Sequence, residues 1–85
     1  MAVKKDYRNL CLRVAALLQK EREHQGLSMT VLSVRAGLSQ PSLSYIERGL
    51  RIPTLDTLFR IADALGIELS SVIADASKPT KRSKA

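Results

Sequence analysis

GLSQPSLSYIERG, residues 37–49, decides how this chain is read. Gly37-Leu38-Ser39 is short enough for a tight turn. Ser39 is a helix N-cap by type, and Pro41 falls in the first turn that follows, where its missing N–H removes no helix bond. Gly49 ends that helix as a left-handed C-terminal cap. The segment predicts a helix over about 40–48, entered from a three-residue turn. Its low charge stands out. Three serines and one tyrosine accompany only Glu47 and Arg48, in a chain with a formal net charge of +6.

Working outward, the same grammar repeats. Ser28 caps a helix over about 29–36 that Gly37 ends. Asp6 is the N-cap candidate for a longer first helix, in which Tyr7, Leu10, Cys11, Val14, Leu17 and Leu18 recur every three or four residues as one apolar stripe. That helix stops near Gln25, with Gly26 as its cap. Beyond the connector at 50–53, Thr54 caps a fourth helix over about 55–65. Leu55, Leu58, Phe59, Ile61, Ala62 and Leu65 are expected to face inward there, and Gly66 ends it. A short fifth helix at about 69–75 carries Leu69, Val72 and Ile73. These three read as core, with a dimer contact as the alternative for part of their surface. No stretch alternates as a strand does. The expected fold is all-α: a compact five-helix domain over 6–75, a basic end at 1–5 and a disordered basic tail at 76–85.

Composition narrows the class. The chain has 85 residues, one cysteine and no tryptophan. A single small domain with an aliphatic core follows, of modest stability and with self-association as a natural supplement. No apolar run approaches the roughly 18 residues that span a bilayer, so no membrane partner is expected. No apolar segment follows Lys4 and Lys5, so no signal peptide is read. Cys11 has no disulfide partner and suits the buried face of a helix in a reducing, cytoplasmic setting. The positive charge belongs to the ends: Lys4 and Lys5 at one, Lys78, Lys81, Arg82 and Lys84 at the other, while residues 6–75 balance. Inside the domain, Arg35, Arg48 and Arg51 against Glu47 make residues 28–51 positive. Asp56, Asp63, Glu68 and Asp75 against Arg60 make 52–75 acidic. A polyanion would therefore prefer one orientation of approach.

Catalytic readings fare poorly. His24 and Cys11 are each alone of their kind, no glycine loop suits a phosphate, and Asp56 and Asp63 share a helix face without a His or Cys near them in sequence. A chain of this size leaves little room for a substrate pocket. Neither an enzyme activity, a cofactor, a metal nor a small-molecule ligand is expected.

Two short helices joined through Gly37-Leu38-Ser39 are the signature of a helix-turn-helix, whose second helix enters the DNA major groove. Residues 17–72 resemble the Cro/phage-repressor family, also called the XRE family. The resemblance rests on GLS at 26–28, AGLSQ at 36–40, IERG at 46–49, PTLDTL at 53–58 and IADALGI at 61–67, in order and at matching spacing. It implies a lambda-repressor-like domain that binds double-stranded DNA as a transcription regulator, usually as a homodimer, here associated with the nucleoid. It implies that Gln40, Pro41, Ser44 and Tyr45 face bases, and that Leu43 and Ile46 turn to the core. Gln suits the adenine edge, and Pro41 suits only an apolar contact such as a thymine methyl. Tyr45 reads equally as a core ring with an exposed hydroxyl.

The resemblance further places Ser28, Thr30, Arg35, Ser39, Ser42, Arg48 and Arg51 on or near phosphates. It pairs Arg22 with Glu47 in a buried salt bridge. The family usually opens helix two with a Gln that binds phosphate and props the first base reader. Met29 stands there in this chain, with Thr30 beside it as the substitute phosphate donor. The first helix is also longer than the family minimum, and its extra turns are expected to cover helix two or helix five. The alternative function is a protein-interaction module, an antitoxin or anti-regulator, that uses the helix-turn-helix as a scaffold.

Overall fold

A computed structural model describes residues 7–78 of the chain. Among these residues there are five α-helices and no strand: α1 (Arg8–His24), α2 (Met29–Ala36), α3 (Gln40–Glu47), α4 (Leu55–Leu65) and α5 (Leu69–Ser77). The local chemistry sets most of the boundaries. Ser28, Ser39 and Thr54 each accept a hydrogen bond from the backbone N–H three residues on, which satisfies one of the unpaired donors of a helix start. At the other end of α2, Gly37 adopts φ 71°, a conformation that a side chain makes costly. The Leu38 N–H then reaches back to the Ser33 carbonyl at 2.9 Å. The same reach follows the other three glycines, from Leu27 to Arg22, Leu50 to Tyr45 and Ile67 to Ala62.

Four helices each contribute one fully buried large side chain to a single core: Leu18 from α1, Leu32 from α2, Leu43 from α3 and Ile61 from α4. Burying such a side chain stabilises by about 1.5–3 kcal/mol. Leu69, Val72 and Ala76 of α5 close the core, with Ile73 packed at its edge. Leu69 and Val72, at 3% and 8% exposure, therefore belong to the monomer interior and offer no surface to a partner.

Three expectations are corrected. The position before α1 is taken by Tyr7, which makes no side-chain cap and is 60% exposed, so the apolar stripe starts later, at half-buried Leu10 and Cys11. Asp6 lies outside the described residues, as do 1–5 and 79–85. Leu55 and Phe59 do not face inward but are 58% and 50% exposed. Successive positions turn by 100°, and both fall on the shoulder of the arc that Leu58, Ile61, Ala62 and Leu65 bury. α5 continues past 75 into the segment read as a disordered tail, because Ala76 is buried against the core. Of the two partners expected for the extra turns of α1, helix five is the one they meet: Arg13 donates from Nε and Nη2 to the Ala76 carbonyl, at 3.0 and 2.7 Å.

Candidate nucleic-acid interface

α3 sits on the core through Leu43 and Ile46, 1% and 3% exposed. Anchoring at those two positions dictates what faces outward. Gln40, Pro41, Ser44, Tyr45 and Arg48 fall on the opposite arc, related by four-residue steps. All are exposed except Ser44, which is half-buried. The helix thus presents a strip of short, mostly uncharged hydrogen-bonding groups that ends in a cation.

Gln40 is held from α2. The Thr30 hydroxyl donates to Gln40 Oε1 at 3.0 Å. Thr30, expected to donate to a phosphate, directs its proton in the free protein to the side chain at the start of α3. Met29, where the family usually has its prop, packs instead against the core. The amide nitrogen of Gln40 remains available as a donor, and its oxygen keeps a second lone pair. The caps at Ser28 and Ser39 use their oxygens as acceptors, which leaves each hydroxyl proton free to donate to an anion.

The cations lie at the margin. Arg35, in the last turn of α2, is exposed, as are Arg48 and Arg51. Arg51 crosses back over α3: its guanidinium carbon lies 5.4 Å from the Tyr45 ring centroid, and Nη1 reaches Ser42 Oγ at 3.4 Å. Ser42, Tyr45 and Arg51 thus form one cluster, and the Tyr45 ring, 41% exposed, lies under Arg51 rather than in the core.

The one acid near this strip is turned inward. Glu47 accepts from Arg22 Nε at 2.8 Å and from Nη2 at 2.9 Å, with only 5% of its side chain exposed. Arg22 Nη1 also donates to the Leu27 carbonyl at 2.8 Å. One guanidinium therefore ties the end of α1, the loop into α2 and the end of α3. The bond to Glu47 raises the Arg22 pKa above its ordinary value, against the opposing effect of burial. With Glu47 paired inside, the charged side chains that residues 28–51 leave exposed are Arg35, Arg48 and Arg51, all cations.

Sequence reasoning named the arc and its cations. It missed the Thr30–Gln40 bond and the lodging of Arg51 on Tyr45 and Ser42, because both join residues whose proximity depends on how two elements cross. A concavity of about 620 Å³ lies elsewhere, between α1 and α5, and is lined by Arg13, Leu17, Lys20, Asp75 and Ala76 among others but by no residue of α3.

Comparison with known proteins agrees with this geometry. A family model described as helix-turn-helix matches residues 18–72. An uncharacterized HTH-type transcriptional regulator of Mycobacterium tuberculosis is 39% identical over 71 residues, covering 81% of this chain and 51% of that protein. The HTH-type transcriptional regulator SutR of Escherichia coli is 32% identical over 72 residues, covering 85% of this chain and 40% of that one. The chain thus spans about half the length, or less, of these two relatives. Among solved structures, the restriction-modification controller protein C.AhdI from Aeromonas hydrophila superposes with a TM-score of 0.68 at 30% identity, over 78% of this chain and 98% of its own.

Proposed function

The chain belongs to the helix-turn-helix family of the Cro/phage-repressor type, and from that premise we propose that it is a sequence-specific regulator of transcription that binds double-stranded DNA. In this reading it acts as a repressor, as a homodimer on a palindromic operator. Two copies of α3 enter successive major grooves on one face of the duplex, with half-sites about 34 Å apart. Gln40, Pro41, Ser44 and Tyr45 meet base edges; Arg35, Arg48, Arg51 and the capping serines meet phosphates.

The observation that carries the proposal is the division of charge around α3. Uncharged hydrogen-bonding groups occupy the outward arc, while exposed arginines frame it and Glu47 is neutralised by Arg22. Neutral donors and acceptors discriminate bases, and cations supply affinity without sequence information.

The test is selection of bound sites from a random duplex pool, followed by titration of the selected site at two salt concentrations. The expected result is an inverted repeat whose affinity falls steeply with salt as counterions are released. A protein-interaction module using the same scaffold would select no site, and its partner affinity would change little with salt. That outcome would replace this reading.

A further inference from the structure

One surface next to α3 lies outside the arc proposed to read DNA. Leu50, Ile52, Leu55 and Phe59 are 61%, 40%, 58% and 50% exposed, within ten residues of chain. Leu50, Leu55 and Phe59 depart from what their local motifs lead one to expect. The residue after a capping glycine normally folds back onto the helix it ends, and Leu27, Leu38 and Ile67 do so, packing against the core. Leu50 makes the same backbone bond, to the Tyr45 carbonyl, yet its side chain stays out. Leu55 and Phe59, one helical turn apart, lie on the flank of α4 rather than on its buried face.

We infer that this patch is the surface through which two copies of the chain pair about a two-fold axis. The inference rests on the reading of the chain as a homodimeric DNA-binding protein and names the contact that such a dimer uses. Charge favours a second copy over a charged partner. Asp56 and Arg60 beside the patch satisfy each other at 2.8 Å, and Arg51 is turned back onto Tyr45 and Ser42. The surface is thus apolar and locally neutral, and meets its own image without like-charge repulsion.

Continuity argues the same way. Leu50 is bonded to the last turn of α3, so an axis through the patch fixes the separation of the two recognition helices, which a palindrome requires. Four half-exposed side chains of this size present on the order of 400 Å², a patch size associated with interaction sites and about half of one partner's share of a standard interface. The pairing is accordingly weak in free solution and strengthened on DNA.

The test uses the full 85-residue chain. Sedimentation across a concentration series should show a reversible monomer–dimer equilibrium. Phe59→Asp and Leu55→Asp, at positions already open to solvent, should each weaken pairing by about 30-fold or more while leaving the helical circular dichroism and melting unchanged. Val34→Asp, at a 74% exposed position on α2, is the matched control and should leave pairing as it is. On DNA, Phe59→Asp should bind a duplex with one selected half-site as the wild type does, but lose the added affinity for the full site. A wild type that stays monomeric with and without the full site overturns the inference. So does a dimer indifferent to both aspartates, or one that Val34→Asp disrupts equally. If the wild type pairs through this patch but selects no duplex, the DNA reading fails and the pairing stands. A selected palindrome bound by copies that do not interact gives the reverse.

Discussion

The Thr30 hydroxyl and the Gln40 side-chain oxygen, ten residues apart in sequence, are joined by a 3.0 Å hydrogen bond across the helix-turn-helix. The bond favours one rotamer of the side chain that opens α3, so that in the proposed reading Gln40 would meet DNA with its amide already oriented. Ordering before contact lowers the entropic cost of binding.

Removing that hydroxyl with its shape kept, as in Thr30→Val, is expected to relax base preference at the position that Gln40 reads. The expected loss of discrimination is about 1 kcal/mol, or fivefold, with the salt dependence unchanged. Thr30→Ser restores the hydroxyl and should restore the preference. Binding to duplexes varied at one base pair measures both. A uniform loss of affinity for all bases would show that Thr30 acts on a phosphate instead.

Gln40→Ala and Arg51→Ala should fail in different ways. The first is expected to cost about 1–3 kcal/mol at one base pair and little on unrelated DNA. The second should weaken all sequences about equally and reduce the slope of log affinity against log salt by about 1. Titrations of selected and scrambled duplexes at several salt concentrations separate the two. Full retention of specific binding by the double variant would remove α3 from the interface.

The Arg22–Glu47 pair carries a stability prediction. Side-chain exposures of 11% and 5% mean that losing either partner leaves a mostly buried charge. Arg22→Met or Glu47→Gln should cost about 3–5 kcal/mol in urea unfolding, with the double variant well short of the sum. Arg22 has its pKa raised in the folded state. Its stabilisation is therefore complete below the ordinary guanidinium range and is lost only as pH rises through strong alkali. Titration of this arginine gives no pH dependence of stability near neutrality.

Arg13 makes the last turn of α5 part of the domain through its two bonds to the Ala76 carbonyl. Arg13→Met should raise amide hydrogen exchange around residues 74–77 by about fivefold, with α3 unaffected, since losing such a bond is worth about 1 kcal/mol locally. Exchange followed by mass spectrometry or NMR reads this directly. An equal rise throughout the molecule would mean that α5 unfolds only with the whole.

By itself the sequence determined the five helices, the caps at Ser28, Ser39 and Thr54 and the turn between α2 and α3. Those features depend on groups within a few residues of one another: Ser28 on the Val31 N–H, Ser39 on the Ser42 N–H, Gly37 on its own φ. The partnership of Arg22 with Glu47 was legible only through likeness to a family, since nothing local joins residues 25 apart. Tertiary structure alone decided which side of α4 remained open at Leu55 and Phe59, that α5 runs to Ser77 under Arg13, and that Thr30 and Arg51 attend the outward face of α3. The physical reason is common to these cases. A pattern of apolar residues specifies that a helix has a buried arc, but the width of that arc, and which polar tips meet across a crossing, depend on where the neighbouring helices come to rest.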